Sequence, residues 1–322
     1  MPELKGRTVL ITGASGFVGP HLARALSARG ARIVGLAISA PPAGLTLDGW
    51  HNADMLDAAA VARIIEAARP AAVVHLAGQS SAARSFEQPV ETFRINVTGT
   101  WNLIEAVRAH APEARMLIVG SGEVYGPLPK GTRATEGAPF NPVSPYALSK
   151  AAADALAELH ARAHGLDVVR TRSFGHTGPG QDPRFVVPSF SRQIAAIERG
   201  GEPVLKVGNL DVARDLTDVR DIVRAYVMLL EQGRAGEAYN VCRGVTVKLT
   251  DMVRMLAERS RVPVRIEVDP ARVRAADVSW LAGDPAKLER DTGWRAEIAF
   301  ERTLDDVLGE WRGRLAAGVA PG

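Results

Sequence analysis

Cysteine, aromatic side chains and long apolar runs are all scarce in this sequence of 322 residues. Cys242 is the only cysteine, so no disulfide can form within one chain, and a reducing cytoplasm is the expected location. We expect Cys242 to be a small buried side chain at the start of a loop, rather than a catalytic thiol. No apolar stretch approaches the length of a membrane span and the first residues carry no apolar signal segment, so we expect neither an anchor nor a secretory leader.

The chain also lacks a strong excess of charge of either sign. Its formal net charge is +3, and the basic residues are scattered rather than concentrated in a patch with aromatic side chains. This distribution argues against a nucleic-acid partner. Arginine outnumbers lysine, and because the guanidinium fork matches phosphate oxygens, the composition is compatible with a phosphorylated small-molecule ligand. We expect no metal site.

A glycine pattern stands near the start of the chain. The apolar run 8–12 leads into Gly13, Gly16 and Gly19, and residues 17–26 then place apolar side chains at helical spacing. This order predicts a strand, a tight turn and a helix. The first glycine permits the turn, the second lets the backbone approach a pyrophosphate, and the third lets the helix pack closely. The context favours dinucleotide binding over an ordinary glycine-rich turn between a strand and a helix.

The rest of the first half continues to alternate strands and helices. Apolar runs predict strands at 32–37, 71–76, 116–119 and 166–172, and helical periodicity predicts helices near 58–68, 89–110 and 146–164. This alternation is typical of an α/β Rossmann fold, a doubly wound parallel sheet, here with a smaller C-terminal α/β substrate-binding lobe. We assign residues 1–175, with a returning segment at about 211–241, to the dinucleotide-binding domain, and residues 176–210 and 242–322 to the substrate lobe.

The end of the second predicted strand carries no signal for the choice of cofactor. An acidic residue there would bind the adenosine ribose of NAD, and an arginine shortly after it would hold the 2′-phosphate of NADP. This chain has Ala37 at that position, and Ile38 and Ser39 follow. The cofactor is therefore predicted to be NADP or NAD, with both alternatives open.

Tyr146 and Lys150 form the strongest catalytic pattern in the sequence. They are spaced i, i+4 at the start of a predicted helix, so they share one face. A lysine ammonium beside a phenol is expected to stabilise the phenolate and to lower the pKa of the tyrosine. Ser121 follows a neighbouring predicted strand and can hydrogen-bond the same substrate oxygen. Together these residues predict proton exchange with a carbonyl or an alcohol.

The order of these motifs resembles the extended short-chain dehydrogenases/reductases that act on nucleotide sugars. The likeness covers nearly the whole chain, and it is strongest to the branch that contains GDP-mannose 4,6-dehydratase and GDP-4-keto-6-deoxy-mannose reductase. The strings that carry it are His75-Leu76-Ala77-Gly78-Gln79-Ser80-Ser81, Ser85-Phe86-Glu87-Gln88-Pro89, Asn96-Val97-Thr98-Gly99-Thr100, His176-Thr177-Gly178-Pro179-Gly180-Gln181 and Val207-Gly208-Asn209-Leu210-Asp211-Val212-Ala213-Arg214-Asp215.

This resemblance implies a role for each matching residue. The residues implied for the dinucleotide are Gly13, Ser15, Gly16, Phe17, Val18, Gly19, Asp54, Leu76, Ala77, Gly78, Tyr146 and Lys150. The catalytic residues implied are Ser121, Glu123, Tyr146 and Lys150. The residues implied for a GDP-sugar substrate are Ser80, Ser81, Ser121, Glu123, Arg214, Arg274 and Asp277, with the two arginines on the pyrophosphate. The resemblance also implies a homodimer in which the helices at 89–110 and 146–164 pair across a two-fold axis.

The resemblance leaves the reaction itself between three alternatives. Reduction of a C4 ketone on GDP-4-keto-6-deoxy-mannose fits the string around Ser121 and the length of the chain. In 4,6-dehydratases a glutamate at the position of Glu123 removes the C5 proton, but reductases keep it too, and Gly122 stands where dTDP-sugar dehydratases place an aspartate. A 4-epimerase would usually have the ribose-binding acid that Ala37 replaces.

Two further points bear on function. Relatives usually have an asparagine that contacts the substrate diphosphate where this chain has Gly175. A non-catalytic dinucleotide sensor is the alternative from a different class, because this fold is also used without catalysis. Such proteins typically lose the tyrosine or the lysine, whereas this chain keeps Ser121, Tyr146 and Lys150 together, which favours an enzyme.

Overall fold

The computed structural model describes residues 4–272 and 278–318. The strands are β1 (Thr8–Thr12), β2 (Arg32–Ala37), β3 (Gly49–Asn52), β4 (Ala72–His75), β5 (Arg115–Ser121), β6 (Val168–Ser173), β7 (Gly175–Thr177), β8 (Val204–Val207), β9 (Ala213–Asp218), β10 (Ala238–Val241), β11 (Thr246–Lys248), β12 (Arg265–Val268) and β13 (Trp280–Leu281). The α-helices are α1 (Val18–Ser27), α2 (Ala58–Ala68), α3 (Ala82–Glu87), α4 (Pro89–Phe93), α5 (Gly99–His110), α6 (Pro145–His164), α7 (Val186–Ile197), α8 (Val219–Gln232), α9 (Leu249–Glu258), α10 (Ala286–Thr292) and α11 (Phe300–Ala316).

A seven-stranded sheet forms the centre of the first half of the chain. Its order is β10-β6-β5-β4-β1-β2-β3, and every neighbouring pair is parallel. The order runs outwards in both directions from β1 and β4, so the sheet is doubly wound and the predicted Rossmann fold is confirmed. In such a sheet, ligands bind beyond the carboxyl ends of the strands near the point where the order reverses.

Helices cover both faces of this sheet, which explains why its strands are apolar on both sides. Successive side chains of a strand point to opposite faces, so Leu117 packs in one core and Met116 in the other. The first core is shared with α1 and α8, and the second with α2, α5 and α6. The elements that end near the predicted site are therefore anchored on two independent apolar cores.

The helix that carries Tyr146 and Lys150 has clear signals at both ends. Ser144 caps α6 because its Oγ accepts a hydrogen bond from the backbone N–H of Ala147 at 3.0 Å, and Pro145 occupies the first turn. Gly165 ends the helix in the left-handed conformation, with a φ of 66°. The predicted helix near 146–164 is therefore confirmed.

The predicted helical segment 89–110 is interrupted. It consists of α4, a π-helical turn at Arg94–Thr98 and α5, and the short α3 precedes it. The apolar residues of the segment still follow helical periodicity closely, so the sequence pattern does not reveal the π-helical turn. The turn matters for the site because it places Asn96 inside the protein, with 2% of its surface exposed.

The second half adds two small sheets. In one, β9 pairs with β7, β11 and β13, and in the other β8 pairs with β12. A third apolar core lies among α7, α9 and α11. Two segments return to the large sheet: α8 covers it and β10 extends its edge.

These contacts bear on the predicted domain boundaries, which stay a prediction. Within the segment 211–241, α8 and β10 join the large sheet whereas β9 belongs to a small one. Beyond residue 242, Leu288 on α10 and Trp294 after it pack in the core of the large sheet. A boundary drawn from packing would therefore move β9 to the lobe and α10 to the first domain. Among the described residues, no helix combines the length and the apolar character that crossing a membrane requires.

Candidate active site

The glycine turn brings three backbone segments into close contact. Gly13 has a φ of 67°, and a Cβ added to it would lie 2.7 Å from the backbone nitrogen of Ala77, which follows β4. A Cβ added to Gly19 would lie 2.2 Å from the carbonyl oxygen of Ala14. No real side chain tolerates such distances, so only glycine permits this packing. This close packing is what the predicted pyrophosphate-binding turn requires, and the binding of a dinucleotide by these residues stays a prediction.

The far end of this turn faces the loop after β2. The Ser39 hydroxyl donates a hydrogen bond to Ser15 Oγ at 2.8 Å. Asp54 lies just beyond β3, and its Oδ1 accepts from the backbone N–H of Leu56 at 2.9 Å. The carboxylate that would favour NAD is missing from the sequence at Ala37, and hydroxyl groups stand close by. This arrangement does not favour one cofactor over the other.

Three of the four predicted catalytic side chains, Ser121, Tyr146 and Lys150, converge at the carboxyl end of β5, and the fourth, Glu123, follows in the next turn. Ser121 is the last residue of β5, and its hydroxyl lies close enough to Tyr146, in the first turn of α6, to lower the pKa of the phenol. Lys150, one turn later, donates from Nζ to the carbonyl oxygen of Val119 at 3.0 Å. A Cβ added to Gly78 would lie 3.5 Å from the same Nζ, so the segment after β4 passes directly over the lysine.

The expected pKa shift of Tyr146 is wrong in direction. Burial is the largest effect and raises the pKa of the phenol, the negative charge of Glu123 raises it further, and only the hydrogen bond with Ser121 acts in the opposite direction. Burial also lowers the pKa of Lys150 to about 8. The sequence pattern gives the i, i+4 spacing of this pair, but it does not reveal how completely the phenol is removed from water.

Asn96 and Ser149 are part of the site that sequence reasoning missed. Asn96 Oδ1 accepts from the backbone N–H of Gln79 at 2.8 Å, and its Nδ2 donates to Ser149 Oγ at 2.8 Å. Ser149 in turn donates to the carbonyl oxygen of Tyr146 at 2.7 Å. These bonds tie the segment after β4 to the catalytic helix. The only sequence signal was the family string 96–100, to which no role was attached.

His75 is a satisfied core histidine, as its apolar surroundings in the sequence suggest. Its ring nitrogens lie 2.7 Å from Thr12 Oγ1 and 3.0 Å from Thr100 Oγ1. Burial, with a smaller effect from the nearby Lys150 charge, lowers its pKa to about 3. The ring is therefore neutral and links β1, β4 and α5 beneath the glycine turn.

The residues predicted for the substrate occupy varied positions. Ser81 caps α3 by accepting from the backbone N–H of Arg84 at 3.2 Å, whereas Ser80 is exposed. Glu123 sits in a 3-10 turn after Ser121 and is half-buried. Arg214 is half-buried on β9. The predicted residues Arg274 and Asp277 lie outside the described part of the chain.

Gly175, where relatives usually have asparagine, has little room for a side chain. A Cβ there would lie 2.9 Å from both the carbonyl oxygen of Asp215 and Cδ2 of Leu216. The next residue, His176, stacks on the Phe17 ring with 6.0 Å between ring centroids. His21 on α1 contacts the carbonyl oxygen of Pro179 at 2.9 Å. The strand β7 and the residues just after it therefore pack on the beginning of α1, through the rings of Phe17 and His176 and through the contact of His21 with Pro179.

Comparison with known proteins agrees with this geometry. The family described as "GDP-mannose 4,6 dehydratase" matches residues 10–307. The chain is 37% identical to GDP-6-deoxy-D-mannose reductase of Pseudomonas aeruginosa over 95% of this chain and 98% of that protein.

Solved structures show the same fold with bound cofactor. The structure of RMD from Pseudomonas aeruginosa complexed with NADPH has a TM-score of 0.84 and 35% identity, and the match covers 96% of this chain and 99% of that one. A UDP-glucose 4-epimerase from Thermus thermophilus in complex with NAD has a TM-score of 0.86 and 29% identity, over 95% of this chain and 99% of that one. With a family match over most of its length, the chain belongs to the GDP-mannose 4,6 dehydratase family of extended short-chain dehydrogenases/reductases.

Proposed function

We propose that this protein reduces the C4 ketone of GDP-4-keto-6-deoxy-D-mannose to GDP-D-rhamnose, also called GDP-6-deoxy-D-mannose, with NADPH or NADH. The observation that carries the proposal is the convergence of Ser121, Tyr146 and Lys150 at the carboxyl end of β5, in a chain whose nearly full-length relative is a GDP-6-deoxy-D-mannose reductase. The activity is that of an NAD(P)-dependent nucleotide-sugar oxidoreductase.

The proposed reaction divides into a hydride step and a proton step. A nicotinamide dinucleotide, when bound, would supply a hydride to C4 of the sugar. Tyr146 donates its phenolic proton to the C4 oxygen, and Ser121 donates a hydrogen bond that orients this oxygen. Lys150 would hold the ribose hydroxyls of the dinucleotide near Gly78, and the glycine turn would hold its pyrophosphate.

The electrostatics of Tyr146 support reduction over the dehydratase alternative. A reductase needs a proton donor that remains protonated until the ketone is reduced, and burial and the Glu123 charge both raise the pKa of this phenol. At Gly122, a Cβ would lie 2.8 Å from the Phe174 ring, so an aspartate there would require the ring to move. Its absence argues against a dTDP-sugar dehydratase but not against a GDP-mannose dehydratase, which also lacks this aspartate. Glu123 remains, however, as the base that a dehydratase would use.

The substrate contacts are also proposals. Arg214 with Arg274 would hold the pyrophosphate of GDP, since a guanidinium matches phosphate oxygens in a bidentate geometry. Asp277 would accept from the nucleoside ribose, and Ser80 and Ser81 would border the sugar. We also propose a homodimer through the helices of residues 89–110 and 146–164.

The test is the near-ultraviolet absorbance of NADPH, and separately of NADH, with purified protein and the keto sugar generated in situ. Loss of absorbance only with the keto sugar is the expected result, and the faster cofactor then settles the preference. A control mixture holds GDP-mannose alone. Elimination of water in that control, detected by mass, would assign the dehydratase reaction instead, and no reaction in either mixture would contradict both assignments.

A further inference from the structure

A buried group of hydroxyls lies at the carboxyl end of β6, beside the candidate active site. Ser173 Oγ lies 2.7 Å from the Tyr226 hydroxyl and 3.2 Å from Thr171 Oγ1. Thr171 and Tyr226 are fully buried, and 6% of Ser173 is exposed. We call these three residues the hydroxyl cluster. Burying polar groups is costly unless they bond to one another, and here each hydroxyl has a partner within the cluster.

The strand register places this cluster next to Ser121. Ser173 on β6 is paired with Ser121 on β5, and Thr171 is paired with Val119. Adjacent strands lie about 4.8 Å apart, and paired residues of parallel strands point to the same face. Residues of the same alternation, Leu117 and Val169, pack in the core shared with α8. The side chains of Ser121 and Ser173 therefore face α8 together.

Tyr226 reaches this position from α8. Its ring belongs to the same apolar core as Leu117 and Val169. It is also near enough to Tyr146 that its phenol raises the pKa of the Tyr146 phenol. The Tyr226 hydroxyl thus lies between a returning helix and the strand ends that hold the proton donor.

The Ser121 hydroxyl can form only a few hydrogen bonds. A serine hydroxyl has one proton and two acceptor sites. One acceptor site is used by the backbone N–H of Glu123 at 3.2 Å, and the hydroxyl also bonds to Tyr146. Ser173 is the strand neighbour of Ser121 and its side chain lies on the same side of the sheet, so a shift of the hydroxyl cluster would also displace the Ser121 hydroxyl relative to Tyr146.

We propose that Tyr226 is a positioning residue for proton transfer: held by Ser173, its hydroxyl keeps Ser121 and Tyr146 in the geometry that delivers the proton to the substrate carbonyl. The proposal rests on the proposed reduction and assigns it a residue on α8, far along the chain from the predicted site. Tyr226 acts through Ser173, the strand neighbour of Ser121, and not by contact with the substrate.

The kinetic test uses Tyr226→Phe, Ser173→Ala and the double variant. Each change removes one hydroxyl and keeps the rest of the core. We expect kcat to fall about five- to tenfold in either single variant, the loss that one misplaced hydrogen bond produces, with KM unchanged for sugar and cofactor. The double variant should lose no more than the single ones, because the two residues act in one path.

Tyr239→Phe is the matched control. Tyr239 packs in the same core, but its hydroxyl donates to Asp291 and accepts from the backbone N–H of Arg234. Its loss should leave kcat unchanged, and melting temperatures should be compared across the set. An unchanged kcat in Tyr226→Phe, an equal loss in Tyr239→Phe, or additive losses in the double variant would each overturn the proposal.

A spectroscopic measurement decides the proposal independently of the reaction. The sequence contains four tyrosines, so protein labelled with 13C at tyrosine Cζ gives signals that Tyr→Phe variants can assign. Ser173→Ala and Tyr226→Phe should both shift the Tyr146 signal at neutral pH, whereas Tyr239→Phe should not. If the chemical shift of Tyr146 is the same in both variants as in the wild type, the proposal is contradicted. Absence of keto-sugar reduction by the wild type would instead contradict the proposed function.

Discussion

Tyr146 is the residue whose loss should affect the reaction most directly. Replacing it with phenylalanine removes the phenolic proton and keeps the ring that packs in the first turn of α6. A positioned general acid contributes about 10²- to 10⁴-fold to a rate, so kcat for reduction of the keto sugar should fall by that factor. The measurement is steady-state oxidation of NADPH followed by absorbance.

Cofactor binding provides the control for this variant. Tyr146→Phe should still bind NADPH, as measured by quenching of intrinsic fluorescence, because the glycine turn is untouched. A variant that reduces the keto sugar at the wild-type rate would show that another group supplies the proton. If the Tyr146→Phe variant preserves the protein's function in cells although it does not reduce the keto sugar, the dinucleotide-sensor alternative is favoured.

Lys150 should set the alkaline limit of the reaction. Burial lowers its pKa to about 8, so the ammonium form is present below that pH and is lost as the pH rises through it. Since kcat/KM reports ionisations of the free enzyme, kcat/KM for the cofactor should fall above about pH 8. Tyr146, with its raised pKa, stays protonated throughout this range.

Lys150→Arg separates this explanation from a general loss of structure. Arginine stays charged at every pH used, so the variant should be slower but should lose the decline near pH 8. Persistence of the same decline in Lys150→Arg would assign it to another group. Circular dichroism over the pH range controls for unfolding.

For single residues, the sequence predicts which side chains form the candidate site better than it predicts how deeply they are buried and how their pKa values shift. Ser121, Tyr146 and Lys150 meet because the carboxyl ends of parallel strands and the helix that starts beside them share one edge of the sheet. The direction of the Tyr146 pKa shift was wrong because it depends on burial by residues from several elements. Asn96 and Tyr226 escaped prediction because their partners are distant in sequence: Asn96 bonds to Ser149 and Tyr226 to Ser173.

The unit formed by β1, the glycine turn and α1 depends on glycine at position 19. Gly19→Ala would place a Cβ 2.2 Å from the carbonyl oxygen of Ala14, so the turn and the helix must separate. Overpacking of this kind typically costs about 1–3 kcal/mol, and the displaced N–H groups should weaken NADPH binding. Urea denaturation and a fluorescence titration with NADPH measure the two effects.

Gly309→Ala on α11 is the matched control for this change. A Cβ at Gly309 meets nothing within 4 Å, and the residue is exposed within a regular helix. The same substitution should therefore stabilise the protein by roughly 0.5–1 kcal/mol and leave NADPH binding unchanged. If Gly19→Ala behaved like Gly309→Ala, the close contact of α1 with the turn would be refuted.

Element prediction succeeded where a local signal marks an end. Ser144, Pro145 and Gly165 bracket α6, and the β-branched runs give the central strands. The π-helical turn at Arg94–Thr98 was not predicted, because one extra residue in a turn changes apolar spacing too little to register. The short strands β7 and β9 were not predicted as partners either, since their pairing is set by long-range contacts rather than by apolar period.

At the scale of the whole molecule, the candidate site lies where the two halves of the chain meet. The rings of Phe17 and His176 stack across this junction, and α8 returns Tyr226 to the large sheet. The sequence analysis predicts a returning segment at about 211–241, but it does not predict that β9, immediately before α8, pairs within the small sheet. The partner of a strand depends on segments far along the chain, so the local pattern of apolar residues does not predict it.

The face formed by α3 to α6 bears on the assembly state. Large apolar side chains are exposed on it: Phe86, Val90, Phe93, Trp101, Leu148 and Leu159. The helices that carry these side chains pack on one another, and an exposed apolar patch typically marks an interaction site. In a two-fold dimer each subunit buries the same surface against its partner. The neighbouring helices α5 and α6 would provide such a surface.

Leu159→Glu should therefore convert a dimer into a monomer. Leu159 on α6 is 57% exposed, and a carboxylate there would be buried against its counterpart in the partner subunit, where an unpaired charge is costly. Val268→Glu is the matched control, because Val268 on β12 is also 57% exposed but lies in the lobe. Light scattering at micromolar concentration should give the wild type and Val268→Glu about twice the chain mass of 34.3 kDa, and Leu159→Glu a single chain mass. A monomeric wild type would rule out the dimer, and a dimeric Leu159→Glu variant would move the interface away from α6.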